Sequence, residues 1–480
     1  MEEEKPEQGH YIKIKRFPFI IMIFALVFIT AAVTTLTLAF GDEKAVEVGA
    51  PARSEFNKLY EAYDKIQTKY YEEVDQESLV NGAINGMIES LGDPYSDYMN
   101  EEEASEFHED VSSSFQGIGA EIQEKDGFIM VVSPIKGSPA EKAGLQPNDM
   151  ILSVDGKSIQ GMSASEAVLL IRGEKGTKVK LEVQKSGTEK TQEVTIVRDE
   201  IPIETVYAEM GGNGIAHVQV TSFSEHTAEE LRTALAAMEK EGMKGLVLDL
   251  RQNPGGLLDQ AIEMANMFVP EGKNIMQIQS GGETKAYQAE GGEKITVPTA
   301  VLIDKGSASA SEILAAALSE SAGIPLIGEK SFGKGTVQSA EDFSDQSNLK
   351  LTTAKWLTPN GTWIHEKGIK PDTAVALPDY ASLTYINPES ELKLESLSDE
   401  VKTAEQMLEA LGYAPGKVDG YFDEETESAV EEFQEASELE ANGVLTGAST
   451  TKLMENLRLK LEENDTQLKK AAQAVQAKIK

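Results

Sequence analysis

"TAVLIDKGSASASEIL", Thr299 to Leu314, joins an apolar strand-like run to a helical pattern through alternating serine and alanine. Ser309 and Glu312 satisfy the S-x-x-E capping box, in which a hydroxyl and a carboxylate satisfy orphan N–H groups at a helix start. Two readings follow: the serines only start a helix, or one of them is a nucleophile at a strand-to-helix turn. The same rhythm recurs around it. "GIAHVQV" precedes a helix near Thr227 to Glu239, and "GLVLDL" precedes one near Leu257 to Phe268. Strands alternating with helices from Gly214 onward predict a sheet covered by helices. Loops at the carboxyl ends of such strands are the usual place for chemistry. "DLRQNPGG" (Asp249 to Gly256) and "DKGSASAS" (Asp304 to Ser311) both sit there.

Composition narrows the chemistry. The chain has 480 residues, too many for one core, so several domains are expected. It has no cysteine, which excludes disulfides, thiolate zinc sites and cysteine nucleophiles. A formal net charge of −37 repels phosphate backbones and argues against nucleic acid as a partner. The five histidines show no metal-ligand spacing.

"IGEKSFGKGTVQSAEDF", Ile327 to Phe343, begins like a phosphate-binding loop. It fails twice as one: Gly335 stands where a Mg²⁺-ligating hydroxyl is needed, and the following residues alternate like a strand instead of opening a helix. Lys334 can serve a serine instead. No histidine is well placed as a proton acceptor, because His217 lies inside an alternating strand and His226 opens a helix far upstream. A desolvated, neutral lysine can act as the base.

Taken together, Ser309 in "GSASASEI", Lys334 in "SFGKGTVQ" and Gln338 resemble the Ser/Lys/Gln set of the carboxyl-terminal processing proteases, also called tail-specific proteases. "GDPYSDYM", "DLRQNPGG" and "HEKGIKPD" (His365 to Asp372) fit the same family. The layout is similar to the exported members of spore-forming Gram-positive bacteria. The resemblance implies that Ser309 attacks a peptide carbonyl, Lys334 takes its proton and Gln338 orients the lysine. It implies an oxyanion site of backbone N–H groups, with Ala310 and Gly255 or Gly256 as candidates. No cofactor and no metal are implied.

Short alternating runs broken by glycines follow Gln116, a small mostly-β module with one helix at Ser163 to Arg172. "FQGIGA" (Phe115, Gln116, Gly117, Ile118, Gly119, Ala120) resembles the carboxylate-binding loop of PDZ domains, and "GSPAEKAGLQPNDMILSVDG" is equally PDZ-like. Its expected ligand is a free apolar C-terminus. Arg172 either links peptide binding to the protease or is an exposed surface arginine. Near the end, "LGYAPGKVDGYFDEETESAVEEFQ" and "NGVLTGASTTKLM" resemble small peptidoglycan-binding domains, with peptidoglycan binding, docking and homodimerisation all open.

The uncharged run Phe17 to Phe40 is long enough to cross a bilayer as a helix. Lys13, Lys15 and Arg16 before it and Asp42 and Glu43 after it place the short tail in the cytoplasm. An uncleaved anchor is favoured over a signal peptide, since no clean A-x-A site closes the run. The expected architecture is multidomain α+β: cytoplasmic tail 1–16, transmembrane anchor 17–40, N-terminal helical region 45–112, PDZ domain 113–198, and β/α protease core 199–380. A linker 381–400, a peptidoglycan-binding-like helical domain 401–456 and a solvated charged C-terminal helix 457–480 complete it. The expected function is an extracytoplasmic, membrane-anchored serine endopeptidase acting on protein ectodomains, with a role in sporulation and in the intermembrane space of a forming spore. The alternatives are a catalytically idle PDZ and wall-binding scaffold and, more distantly, a nucleotide-dependent enzyme.

Overall fold

Residues 53–125, 127–188 and 190–479 are described by the computed structural model. The expected anchor, Phe17 to Phe40, lies outside them. Among the described residues no helix is long and apolar enough to cross a membrane. The chain divides into two units between Ala83 and Ile84. The helices Asn57–Lys69 and Gln76–Glu89 form within the expected N-terminal helical region 45–112, yet neither buries a side chain.

Strands of the core line up as Val206–Met210, Ile215–Val220, Gly245–Asp249, Thr299–Ile303, Leu326–Gly328 and Thr373–Ala374. The first pair is antiparallel and the rest are parallel. Gly245–Asp249 and Thr299–Ile303 are buried at every position, as expected for strands covered on both faces. One face packs against the helices Thr227–Lys240, Leu258–Asn266 and Ala310–Ala322. A second, antiparallel sheet contains Asp97–Met99, Asn348–Leu357, Asn274–Ser280 and Glu283–Gln288, with Thr336–Asp342 also paired to Asn348–Leu357.

The other face of the parallel sheet is covered by the chain's end. A helix over Thr466–Gln476 lays Ala471 and Val475, both fully buried, against Ile215, Val247, Ala300, Leu302 and Ile327. This corrects the expectation of a solvated charged helix over 457–480. The charges of this segment hide a stripe of small apolar side chains (Leu468, Ala471, Ala472, Val475, Ile479) at helical spacing. Gly245 permits the approach, for a Cβ there would lie 2.3 Å from Val475 Cγ1. Asp465 and Gln467 then bond Arg251, at 2.7 and 3.1 Å, in the "DLRQNPGG" loop.

The expected linker 381–400 is also corrected. Ile386 and Leu392 are buried in the core of the small helical domain with Leu408, Val430, Phe433 and Leu453. Leu392 bridges to Leu445, so the segment wraps that core before the first helix, Asp399–Leu411. The PDZ-like module has the expected β-sheet and a helix at Ala164–Ile171. It joins the core through a two-stranded neck, in which Ser114–Gly117 pairs antiparallel with Asp199–Pro202.

Candidate active site

The loop after Thr299–Ile303 sorts its serines by hydrogen bonding. Ser307 is fully buried and donates to the Leu250 carbonyl at 2.8 Å. Ser311 is fully buried and donates to the Asn253 carbonyl at 2.9 Å. Both therefore fasten this loop to "DLRQNPGG". Ser309, between them, is only half-buried. Its backbone sits at φ 54°, ψ −113°, a conformation rare outside glycine, at the turn into Ala310–Ala322. Such strain costs of order 1–3 kcal/mol and concentrates at functional turns. The turn resembles the strand-to-helix elbow that projects a nucleophile.

Glu312 explains how the turn is held. The carboxylate, fully buried, accepts from the Ser309 N–H at 2.9 Å, half of the expected capping box. It also accepts from Ser331 Oγ at 2.5 Å, Gly333 N–H at 2.7 Å and Lys334 N–H at 2.8 Å. Burial raises its pKa above the usual carboxylate range, against the pull of these four donors. The capping motif marked Glu312 in the sequence, but only the fold shows it gripping the lysine loop as well.

Lys334 has its pKa pushed down by burial first and by Lys350 second, with Asp93 and Glu312 opposing. That is the direction a neutral base requires. Its carbonyl accepts from Trp356 Nε1 at 2.7 Å, and its ammonium lies 4.9 Å from the centre of the Tyr95 ring. No hydrogen bond joins Lys334 Nζ to Ser309 or to Gln338. The Gln338 amide instead donates to Thr336 Oγ1 and Thr352 Oγ1, each at 3.0 Å. Three of the four described histidines have other partners: His108 bonds Asp342 and His217 bonds Asp249, each at 3.0 Å, and His365 Nδ1, beside the lysine loop, accepts from the Gly335 N–H at 3.2 Å.

Gly255 and Gly256 adopt φ of 107° and 141°. A Cβ on Gly255 would lie 2.9 Å from Ser309 Cβ and 3.0 Å from the Ala310 nitrogen, so this loop lies directly against the serine. The Gly255 N–H already donates to Asn253 Oδ1 at 2.9 Å. Of the three expected oxyanion donors, Gly255 thus has its N–H engaged within its own loop.

Of the "FQGIGA" residues, Phe115, Gln116 and Gly117 lie in the neck ribbon. Phe115 stacks under the Arg172 guanidinium at 5.0 Å, and Gln116 Oε1 accepts from the Lys175 N–H at 2.8 Å. Ile118 is buried in the PDZ core, Gly119 turns at φ 73°, and Ala120 starts the next strand. The carboxylate loop expected over Phe115 to Ala120 thus reduces to its second half, because the extended first half pairs with the returning chain. Arg172 is exposed, as one of its two readings had it, and it also pairs with Glu109 at 2.8 Å. A cleft of about 770 Å³ beside it is lined in part by Glu109, Arg172, Glu200, Asp342 and Phe343, at the end of the strand that carries Gln338.

Comparison with known proteins agrees with this layout. Family models match in four places: "Peptidase family S41" over residues 214–375, "PDZ domain" over 130–185, "Activating protease CtpB N-terminal domain" over 31–103, and "Putative peptidoglycan binding domain" over 398–453. The chain is 51% identical over 462 residues to the carboxy-terminal processing protease CtpA of Bacillus subtilis, covering 95% of this chain and 99% of that one. It is 43% identical over 464 residues to CtpB of the same organism, covering 95% and 97%. A probable CtpA-like serine protease of Staphylococcus aureus is 38% identical over 473 residues, covering 98% and 95%. The chain belongs to the carboxy-terminal processing proteases, serine peptidases of family S41 with a PDZ domain and a peptidoglycan-binding-like domain.

Proposed function

We propose that this protease cleaves with Ser309 as nucleophile and Lys334 as general base, assisted by Gln338. The observation that carries the reading is the convergence of both loops on Glu312, with the neighbouring serines committed to structural bonds. Neutral Lys334 takes the Ser309 proton as Oγ attacks the peptide carbonyl. The tetrahedral oxyanion is held by the Gly256 and Ala310 N–H groups. The lysine then gives its proton to the leaving amine, leaving an acyl-serine. A water attacks that ester with the lysine again as base, releasing the new C-terminus and restoring the hydroxyl.

The lack of a hydrogen bond from Lys334 Nζ to Ser309 or Gln338, whose amide is held by Thr336 and Thr352, supports a resting conformation that a substrate must align. A free apolar C-terminus seated at Ile118 to Ala120 favours the aligned state, and the Arg172–Glu109 contact joins the module to the segment just before the neck. The uncharged run Phe17 to Phe40 and its flanking charges support a single-pass anchor with the catalytic part outside the cytoplasm. In a spore-forming bacterium our reading is of a processing or signalling enzyme in sporulation, working between the membranes of the forming spore. The helical domain then serves either wall binding or dimerisation. The deciding experiment compares cleavage of an unfolded protein by the chain lacking Met1 to Phe40 with its Ser309→Ala variant. Equal cleavage overturns the reading.

A further inference from the structure

"GDPYSDYM", Gly92 to Met99, makes a turn that leads into the strand Asp97–Met99. Its turn is fixed by Asp93, whose carboxylate accepts from the Tyr95 N–H at 3.3 Å and from Ser96 Oγ at 2.6 Å. Ser96 Oγ in turn accepts from the Thr352 N–H at 3.0 Å. Thr352 is one of the two threonines that hold the Gln338 amide. The turn therefore ties the strand pair carrying Gln338 to a single aromatic ring, and that ring lies 4.9 Å from Lys334 Nζ. The ring is itself supported by His365 at 6.1 Å, edge-on, and His365 stacks on Trp363 at 5.2 Å. Trp363 donates to the Gly335 carbonyl at 2.8 Å, so the seat and the loop that carries the lysine are one packed unit.

We propose that the face of Tyr95 is a seat for the protonated Lys334 amine, which parks the base away from Ser309 and Gln338 until substrate aligns the site. This rests on the reading of Lys334 as the base. The physical reason is that a ring quadrupole attracts an ammonium and has little hold on a neutral amine. Protonation thus keeps the lysine on the ring, and loss of the proton frees it to swing to the serine. The other charged groups facing the amine are Asp93, Glu312 and Lys350. Asp93 and Glu312 favour the parked cation and Lys350 opposes it. Tyr95 acts only through Lys334 and is accordingly a positioning residue.

The test is a pH profile in Tyr95→Leu, Tyr95→Phe and a series of fluorinated phenylalanines at 95, which keep the shape and weaken the π face. Tyr95→Leu should move the acidic limb of turnover down by roughly half a unit to one unit, raising the rate on that side about threefold to tenfold. Tyr95→Phe should restore the wild-type limb, and the fluorinated series should grade between the two. Should Tyr95→Leu fail to fold, the fluorinated series carries the test alone. A structural role would lower the alkaline plateau without moving the limb. In a Ser309→Ala background, acylation of the Lys334 amine by an amine-selective reagent, followed across pH by mass spectrometry, reads the same midpoint without turnover. Coincident labelling midpoints in all folded variants overturn the seat. Turnover that survives Lys334→Ala would remove the lysine as base, while the labelling still decides whether Tyr95 holds it.

Discussion

Ser309 and Lys334 donate their backbone N–H groups to one and the same oxygen, Glu312 Oε2, at 2.9 and 2.8 Å. The strained helix start and the glycine-flanked lysine loop are therefore not independent. One buried carboxylate sets both, and a hydrogen bond to a charged group is worth about 1.5–3 kcal/mol.

Glu312→Gln should uncouple them. An amide offers one acceptor where two oxygens now receive four donors, and its own N–H₂ would face N–H groups. We expect kcat to fall roughly tenfold to a hundredfold, by the loss of one or two such bonds. Steady-state kinetics check this, with KM for a peptide changing less than kcat.

Lys334→Ala and Lys334→Arg should both abolish turnover, because a guanidinium does not deprotonate in proteins. In the wild type the burial-lowered pKa means that turnover rises as pH passes upward through it, the protonated lysine below being inactive. His226→Gln should retain most activity. A His226 variant as inactive as Ser309→Ala would instead indicate a Ser/His mechanism.

His217 supplies a pH dependence of stability that is separate from catalysis. Burial works against its charge, but hydrogen bonds to Asp249 and Glu209 outweigh it, and the pKa is raised. Its contribution is fully present below the unfolded value near ~6.5 and is lost as pH rises through the folded value. The difference in denaturation midpoint between wild type and His217→Gln should therefore be larger at acid than at alkaline pH. Equal differences would show that the pair with Asp249 carries no such linkage.

Val475→Asp tests the covering of the sheet by the last helix. Placing a carboxylate at a fully buried position against Gly245 should destabilise the protein by on the order of 3 kcal/mol or more. Asp465→Ala should cost less in stability, yet lower turnover by loosening Arg251 and the loop that ends at Gly256. Thermal denaturation and turnover, measured together, separate the two effects.

Peptides ending in a free carboxylate after an apolar residue should be cleaved faster than their amidated twins. A hundredfold preference of such a ligand for the aligned state shifts the equilibrium by ~2.7 kcal/mol. Gly119→Val should erase the difference, since φ there is 73° and a Cβ would lie 2.5 Å from Ser138 Cβ. Equal rates for both peptides in the wild type would reduce the module to a tether.

Much of this protein was legible in its sequence, because local patterns carry it. The period of the apolar residues marked the strand and helix order around "TAVLIDKGSASASEIL" and the helix of the PDZ-like module, and the glycine-rich turns marked the loops that bear Ser309 and Lys334. Three features were decided only in three dimensions. The charges of the final helix read as a solvated face, yet a parallel sheet needs cover on both faces, and that need lies in strands far upstream. Phe115 to Gly117 read locally as part of a peptide loop, yet their partners are residues 199–202, and no local pattern announces a pairing across the whole inserted module. Most of all, which serine is free depends on carbonyls of Leu250 and Asn253, and which carboxylate grips the lysine loop depends on N–H groups beyond Ser331. Hydrogen bonds between loops of different strands are set by the register of the sheet, and the register exists only once the chain has folded.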